Sequence, residues 1–385
     1  MKLAFQLAYK NLMGAGLRTW LNVAILSFSF VIIIFFNGMI DGWNQQAKMD
    51  SINWEFGNGE LLNAGYDPYD AFSLQDGHGK LPDDKDKNLT PVLISQASIY
   101  PQGRIMAVLL KGIDTSQNIL ALPTHLLEKN KAQIPAIIGT RMAASMNVKT
   151  GDEILLRWRD KNGTFDAASI TIAGIFSTNV PTVDNGQIWI PIKKLWEMTG
   201  LNQQATLFIA NKNYQPENIA GWNFKSQETL LKNINDIIAM KKVSGAIFYL
   251  LLLAIALLAI FDTQVLSIFR RQKEIGTYIS LGMTRMQVVG LFTVEGSMYS
   301  LMAIIVGCIY GIPLFIYMTH AGIAVPQATQ GMGIAISNKI FPVYGVALIL
   351  GTIALVVISS TIVSYLPARK IANMDPVNAL KGKLQ

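Results

Sequence analysis

Four stretches of this chain carry no Asp, Glu, Lys or Arg: Thr19 to Ile40, Val243 to Phe261, Gly296 to Thr319 and Phe341 to Leu366. A helix rises about 1.5 Å per residue and a bilayer core is about 30 Å thick, so each stretch covers the roughly 20 residues of a membrane span. Core helices of water-soluble domains rarely run so far without a charge, and the four are read as spans. Composition agrees: the 385 residues are 51% hydrophobic and only 15% charged, with a mean hydropathy of +0.33. The first stretch is too long for the apolar region of a signal peptide, and "FFNGMIDGW" offers no small-x-small cleavage site; it reads as a retained anchor behind Lys2, Lys10 and Arg18.

Charge sets the expected orientation. With four crossings, every basic residue outside 41–243 except Lys339 falls on one side of the membrane. Lys and Arg near spans are retained in the cytoplasm. The chain then divides into a cytoplasmic amino-terminal segment 1–18, a span 19–40, an outside domain 41–242 ending in a stalk helix, a span 243–269, a cytoplasmic segment 270–290, a span 291–319, an outside loop 320–340, a span 341–366 and a cytoplasmic tail 367–385. Both termini are expected in the cytoplasm. The pI near 9.3 thus reports membrane orientation, and nucleic acid is not expected as a partner. The single cysteine, Cys308, permits no internal disulfide, and His78, His125 and His320 are scattered, so no metal site is expected.

About 200 residues between the first two spans are enough for a folded domain of mixed α/β pattern. "VLISQASIY" and "RIMAVLLKGI" read as strands. "GDEILLRWRDKNGTFDAASITIAGIF" reads as a hairpin turning at Asn162-Gly163. "IGTRMAASMNV" and "PIKKLWEMTG" read as short helices, the second closed by Gly200. "DGHGKLPDDKDKN" is a polar loop; Asp83, Asp84 and Asp86 lack the rest of a calcium loop. "SQETLLKNINDIIAMKK" has apolar residues at helical spacing, a cap at Ser226 and no Gly or Pro until Gly245, so a helix is expected to run on into the second span.

The segment from Arg270 is too polar to span. Arg270, Arg271, Lys273 and Glu274 open it, Ile275, Ile279, Met283 and Met286 or Gln287 share one helical face, and Gly276 and Gly282 are expected to make it turn. Such a helix lies in the headgroups or docks on a cytoplasmic partner. Asp262 and Glu295 lie near the cytoplasmic ends of their spans, where a carboxylate costs less than at the bilayer centre. They read as interfacial carboxylates paired with Arg270, Arg271 or Arg285 rather than as proton or substrate sites.

"RRQKEIGTYISLGMTRMQVV" resembles the signature of FtsX-like ABC transporter permeases, and "YLPARKIANMDPVNALKG" resembles that family's carboxyl end. "KNLMGAGLRTWL", "IIGTRMAASMNVKTGDEI", "IAGIF" and "IWIPIKKLWEMTG" follow the family in order, and "GNGELLNAGYDP" is similar to the lipoprotein-releasing (Lol) branch, the nearest one. The resemblance spans essentially the whole chain and rests on the ordered set. It implies an α-helical membrane protein with four transmembrane helices plus a large mixed α/β extracytoplasmic domain, the MacB-type periplasmic core. It implies a multi-pass protein of the bacterial cytoplasmic (inner) membrane.

The resemblance also assigns roles. Arg270, Arg271, Lys273, Glu274, Ile275, Gly276, Gly282 and Arg285 would couple to an ATPase. Phe28, Ile32, Phe35, Phe36, Ile247, Leu251 and Ile255 are the helical-face candidates for a lipid groove. No GxxxxGK[ST] loop occurs, so no catalytic residue and no bound cofactor are expected; ATP and Mg would be used by a partner ABC ATPase. The short amino end argues against a fused ATPase. Further partners are a second permease copy or paralogue in a two-fold assembly, a periplasmic chaperone or adaptor, and membrane lipid. One Lol permease carries a longer, Pro-containing hook at its hairpin; "RDKNGTFD" is short and lacks Pro, which argues against chaperone docking there. The expected function is ATP-driven extraction or release of a lipoprotein-like substrate. MacB-like export of a peptide or amphiphile, and FtsX-like mechanical signalling without transport, are the alternatives.

Overall fold

The computed structural model describes residues 16–81, 88–325 and 339–373. Asp83, Asp84 and Asp86, the segments 1–15 and 374–385, and 326–338 of the loop expected outside lie outside the described residues. The chain forms two compact units. Among the described residues, one gathers those up to Trp43, Ile238–Ile323 and those from Phe341 onward, and the other holds those between Asn44 and Ile237 with the few flanking the 326–338 segment.

Four helices are long and apolar enough to cross a membrane. They are α1 (Leu17–Ser51), α2 (Lys232–Arg270), α4 (Arg285–Ala321) and α5 (Val346–Ala368), with the short α3 (Gln272–Ser280) between α2 and α4. The helices overrun the charge-free stretches because polar residues beyond the apolar run keep helical backbone bonds: α1 continues past Ile40 to Ser51. At the start of α2, a separate turn Gln227–Leu230 is capped by the Ser226 hydroxyl, which accepts from Thr229 N, and Leu231 interrupts the regular pattern. Asn235 N still donates to Leu231 O at 2.9 Å across that junction.

In lipid there is no hydrophobic drive between helices, so small residues and interhelical hydrogen bonds set the packing. Val23, Leu26, Phe30 and Ile34 of α1 pack with Ala256 and Ile260 of α2, Tyr299 and Ala303 of α4 and Val356 of α5. Asn22 Nδ2 donates to Thr263 Oγ1 at 2.5 Å, tying α1 to α2. Gly296 of α4 sits so close to its neighbours that a Cβ there would run into Ser364 Oγ of α5 and come within 3.0 Å of Gln264 Nε2 of α2.

The other unit is built on a nine-stranded sheet among the described residues. Its strands are β1 (Gly59–Asn63), β2 (Leu89–Ile99), β3 (Met106–Ile113), β4 (Pro135–Gly139), β5 (Glu153–Arg159), β6 (Phe165–Phe176), β7 (Gln187–Pro191), β8 (Leu207–Ala210) and β9 (Trp222–Ser226). The order is β3-β7-β4-β6-β5-β2-β8-β1-β9, and an additional β2–β3 pairing closes six strands into a ring. The ring closes because β2 is long enough to fork: Ala97–Ile99 pair with β5, while Leu89–Val92 pair with β8 along the same edge. Among the described residues, only β3–β7 and β4–β6 run parallel in this sheet. Short helices at Thr140–Met146 and Ile192–Thr199 cover the sheet, the second closed by Gly200 at φ +72°.

Side chains alternate between the two faces of a strand. Leu93, Leu110, Ile138, Leu156, Ile172 and Ile190 point into one core with Met142 and Leu195. Val92, Ile94, Ile113, Ile137, Trp189 and Ile209 point into a second. The expected hairpin is β5–β6, paired from Glu153↔Thr171 to Arg159↔Phe165. Only Gly163 of the Asn-Gly pair takes a positive φ, +80°. Asp160 closes the turn, its carboxylate accepting from Asn162 N and Thr164 N.

Candidate functional site

The segment between α2 and α4 is a short helix held by a stop and a start that sit side by side. α3 ends in a left-handed turn: Gly282 has φ +98°, its N–H donates to Ile279 O at 3.0 Å, and Met283 N donates to Tyr278 O at 3.1 Å. That pair of bonds is the glycine-dependent helix stop of the Schellman type, and it satisfies the last carbonyls of α3. Thr284 then caps α4. Its hydroxyl accepts from Gln287 N, and Gln287 returns the bond to Thr284 N at 2.8 Å. Gly276 does not turn the chain as expected; it is buried within α3, and the single turn is at Gly282. An isolated glycine inside a helix weakens it by only about 1 kcal/mol relative to Ala, which packing offsets here.

The apolar side of α3 is anchored. Ile275 is fully buried with Ile268, Val288, Val289 and Phe292, and Ile279 and Met283 pack at the edge of that cluster. Met286 departs from the expected face: it is 63% exposed, because the turn at Gly282 ends the α3 phase before it. Arg271, at the α2–α3 junction, makes the tie to α4. Its Nη1 donates to both Glu295 oxygens, at 3.0 and 2.8 Å, its Nε donates to Glu274 at 2.7 Å, and its guanidinium stacks on Phe292 at 4.8 Å. Glu295 therefore takes the paired arrangement, with Arg271 as its partner. Asp262 is exposed and has no ion pair among the described residues.

The opposite side of this turn is an open surface. Arg270, Lys273, Glu274, Gly282 and Arg285 are exposed, and Leu281 stands among them at 79% exposure. The eight residues proposed for coupling thus split: Ile275 and Gly276 hold the helix down, Arg271 locks it to α4, and the rest face outward. Phe292 and the Thr284–Gln287 cap were not singled out from sequence. The cap was legible in "TRMQ" as a Thr-x-x-Gln pattern.

The lipid-groove candidates fall on two kinds of surface. Phe28, Ile247, Leu251 and Ile255 are each more than half exposed on the outside of the helices, while Ile32, Phe35 and Phe36 are half-buried. Phe36 lies 6.3 Å from Tyr249. Period 3.6 placed these residues on helix faces, but the rotation of each helix in the bundle decided which faces met.

Residues 246–376 match the family described as "FtsX-like permease C-terminal". The chain is 24% identical over 266 residues to the pyoverdine export ATP-binding/permease protein PvdT of Pseudomonas syringae pv. syringae, covering 67% of this chain and 34% of that protein. It is 23% identical over 220 residues to the uncharacterized ABC transporter permease YknZ of Bacillus subtilis, covering 57% and 50%. It is 24% identical over 252 residues to the lipoprotein-releasing system transmembrane protein LolC of Buchnera aphidicola subsp. Schizaphis graminum, covering 58% and 59%. The match spans about a third to three fifths of the length of these relatives. The capped turn, α3 and the last two long helices all fall inside the matched region, so that residues 246–376 are similar to an FtsX-like permease C-terminal region.

Proposed function

We propose that this chain is the membrane-spanning, non-catalytic subunit of an ABC transporter that uses ATP hydrolysed by a partner ATPase to extract or release a lipoprotein-like substrate from a bacterial inner membrane. The observation that carries the reading is the outward surface of the α3–Gly282 turn inside the FtsX-like region. Arg270, Lys273 and Glu274 offer charge, Leu281 offers an apolar knob, and Arg271–Glu295 makes a push on α3 a push on α4. In this reading the α/β unit is extracytoplasmic, both termini are cytoplasmic, a second permease copy or paralogue completes a two-fold assembly, and the apolar outer faces of α1 and α2 meet lipid. The similarity to LolC favours a lipoprotein cargo. A second reading, export of a peptide or amphiphile with a periplasmic partner, is favoured by the similarity to PvdT.

The test is to purify the native complex, identify its ATPase and cargo, and compare variants in reconstituted membranes. Glu274→Lys reverses an exposed charge, and Gly282→Val forces a β-branched residue to φ +98°, a strain on the order of 1–2 kcal/mol or more. Both variants should insert normally and lose most of the stimulated ATP hydrolysis. Wild-type turnover by both would rule out this turn as the coupling surface.

A further inference from the structure

The α/β unit contains a cavity of about 480 Å³ with ionisable groups the permease reading does not use. Two of them break the strand pattern. Glu60 of β1 shares a face with Leu62, and Lys111 of β3 shares one with Ile113; both faces otherwise feed the second core. Each is only 8% exposed. Among the described residues, neither side chain forms a hydrogen bond or an ion pair; Lys111 instead stands over the Trp189 ring at 4.9 Å. Register keeps them apart. β2 and β8 lie between β3 and β1, so three strand spacings of about 4.8 Å separate their backbones. Glu55, whose carboxylate accepts from the Thr182 hydroxyl, adds a second acid to the wall.

A buried carboxylate with no donor is costly, and such groups in native proteins are satisfied by protein, by water or by a ligand. The cavity wall supplies two acids and one ammonium, and that ammonium already rests on an aromatic ring. Lys225, Lys232 and Asp236 lie at the rim, half-buried or exposed, where solvent screens them. Val92, Ile94, Leu207 and Ile209 form an apolar lining beside Tyr66. The volume is that of a small-molecule site, apolar with a few convergent polar groups.

The geometry points to a binding site for a small organic ammonium with an apolar body, its nitrogen held by Glu60 and Glu55 and its body against the Val92–Ile94 lining. The site is independent of what the chain moves through the membrane. Burial, and after it the Glu55 charge, raise the Glu60 carboxyl to about 8, while Lys111 and Lys225 act the other way. At neutral pH Glu60 therefore carries a proton, which an arriving ammonium displaces.

The probe is 2-phenylethylamine, titrated calorimetrically into the full chain in lipid nanodiscs against empty discs. Wild type should bind it saturably, with 2-phenylethanol and 3-phenylpropionate at least about tenfold weaker. Glu60→Gln should weaken the amine at least about tenfold, and Lys111→Met should leave it unchanged or tighter. Titrations at pH 7 in two buffers of different ionisation enthalpy should show release of about one proton, a readout that needs no variant. Absence of saturable amine binding would overturn the proposal. So would Glu60→Gln binding like wild type, no proton release, or tighter binding of the phenylpropionate that Lys111→Met abolishes.

Discussion

At the scale of single residues, the chain places charge where solvent does not reach and satisfies it unevenly. Arg271 and Glu295 have side-chain exposures of 16% and 8%, and their bond is bidentate on the carboxylate. Removing one partner of such a pair strands a charge, at about 3–5 kcal/mol, whereas replacing both with apolar residues is often neutral. Arg271→Met should therefore lower unfolding stability by several kcal/mol, and Arg271→Met with Glu295→Met should recover most of it. Denaturant unfolding in detergent measures both, and equal losses in single and double variants would refute the pairing energetics. Glu60 gives the opposite kind of signal. Its folded carboxyl titrates at about 8, above the ordinary Glu value near 4.3. The folded state thus holds a proton that the unfolded chain has released. This contribution is full below about pH 4.3 and lost as pH rises towards 8. Wild type should lose stability relative to Glu60→Gln between pH 5.5 and pH 8, as read by unfolding midpoints of the α/β unit.

At the scale of elements, glycine decides where helices can approach or stop. Gly296 and Gly290 lie in the same helix, α4, and test this as a pair. A Cβ at Gly296 runs into Ser364 of α5, while a Cβ at Gly290 meets nothing within 4 Å. Gly296→Ala should cost about 1–3 kcal/mol through overpacking, and Gly290→Ala should be neutral or gain up to about 1 kcal/mol of helix propensity. Thermal unfolding of the two variants side by side checks this; equal effects would mean that α4 and α5 are not packed through Gly296. The α3–α4 junction shows how much of an element was readable. "LGMTRMQ" contains both the glycine stop and the Thr-x-x-Gln start, each a local backbone device. Gly276 looked like a second break because a glycine in isolation cannot be told from one that is packed against.

At the scale of the whole molecule, the proposed orientation rests on where the basic residues lie. A reporter active only outside the cytoplasm should work when fused near Lys161, in the β5–β6 turn, and fail when fused near Met283, in the α3–α4 turn. Activity at both positions, or at neither, would contradict the crossing pattern. Both positions lie in turns between regular elements, so neither fusion interrupts a helix or strand.

What the sequence determined by itself is what neighbouring residues determine: about twenty charge-free residues make a helix long and apolar enough to cross a membrane, Asn162-Gly163 makes a turn, and Ser226 makes a cap. What only the tertiary structure decided is which distant segments meet. The sheet closes through β2–β3 and through the parallel pairing of β3 with β7, strands separated by more than seventy residues. Glu295 was readable as a paired carboxylate, yet the choice of Arg271 over Arg270 or Arg285 depended on the rotation of three helices. Neither Lys111, inside the strand "RIMAVLLKGI", nor Glu60 was singled out from the sequence. Alternation fixes which side of a strand a residue faces, but only the strands and turns packed over that side decide whether it is water or a closed cavity.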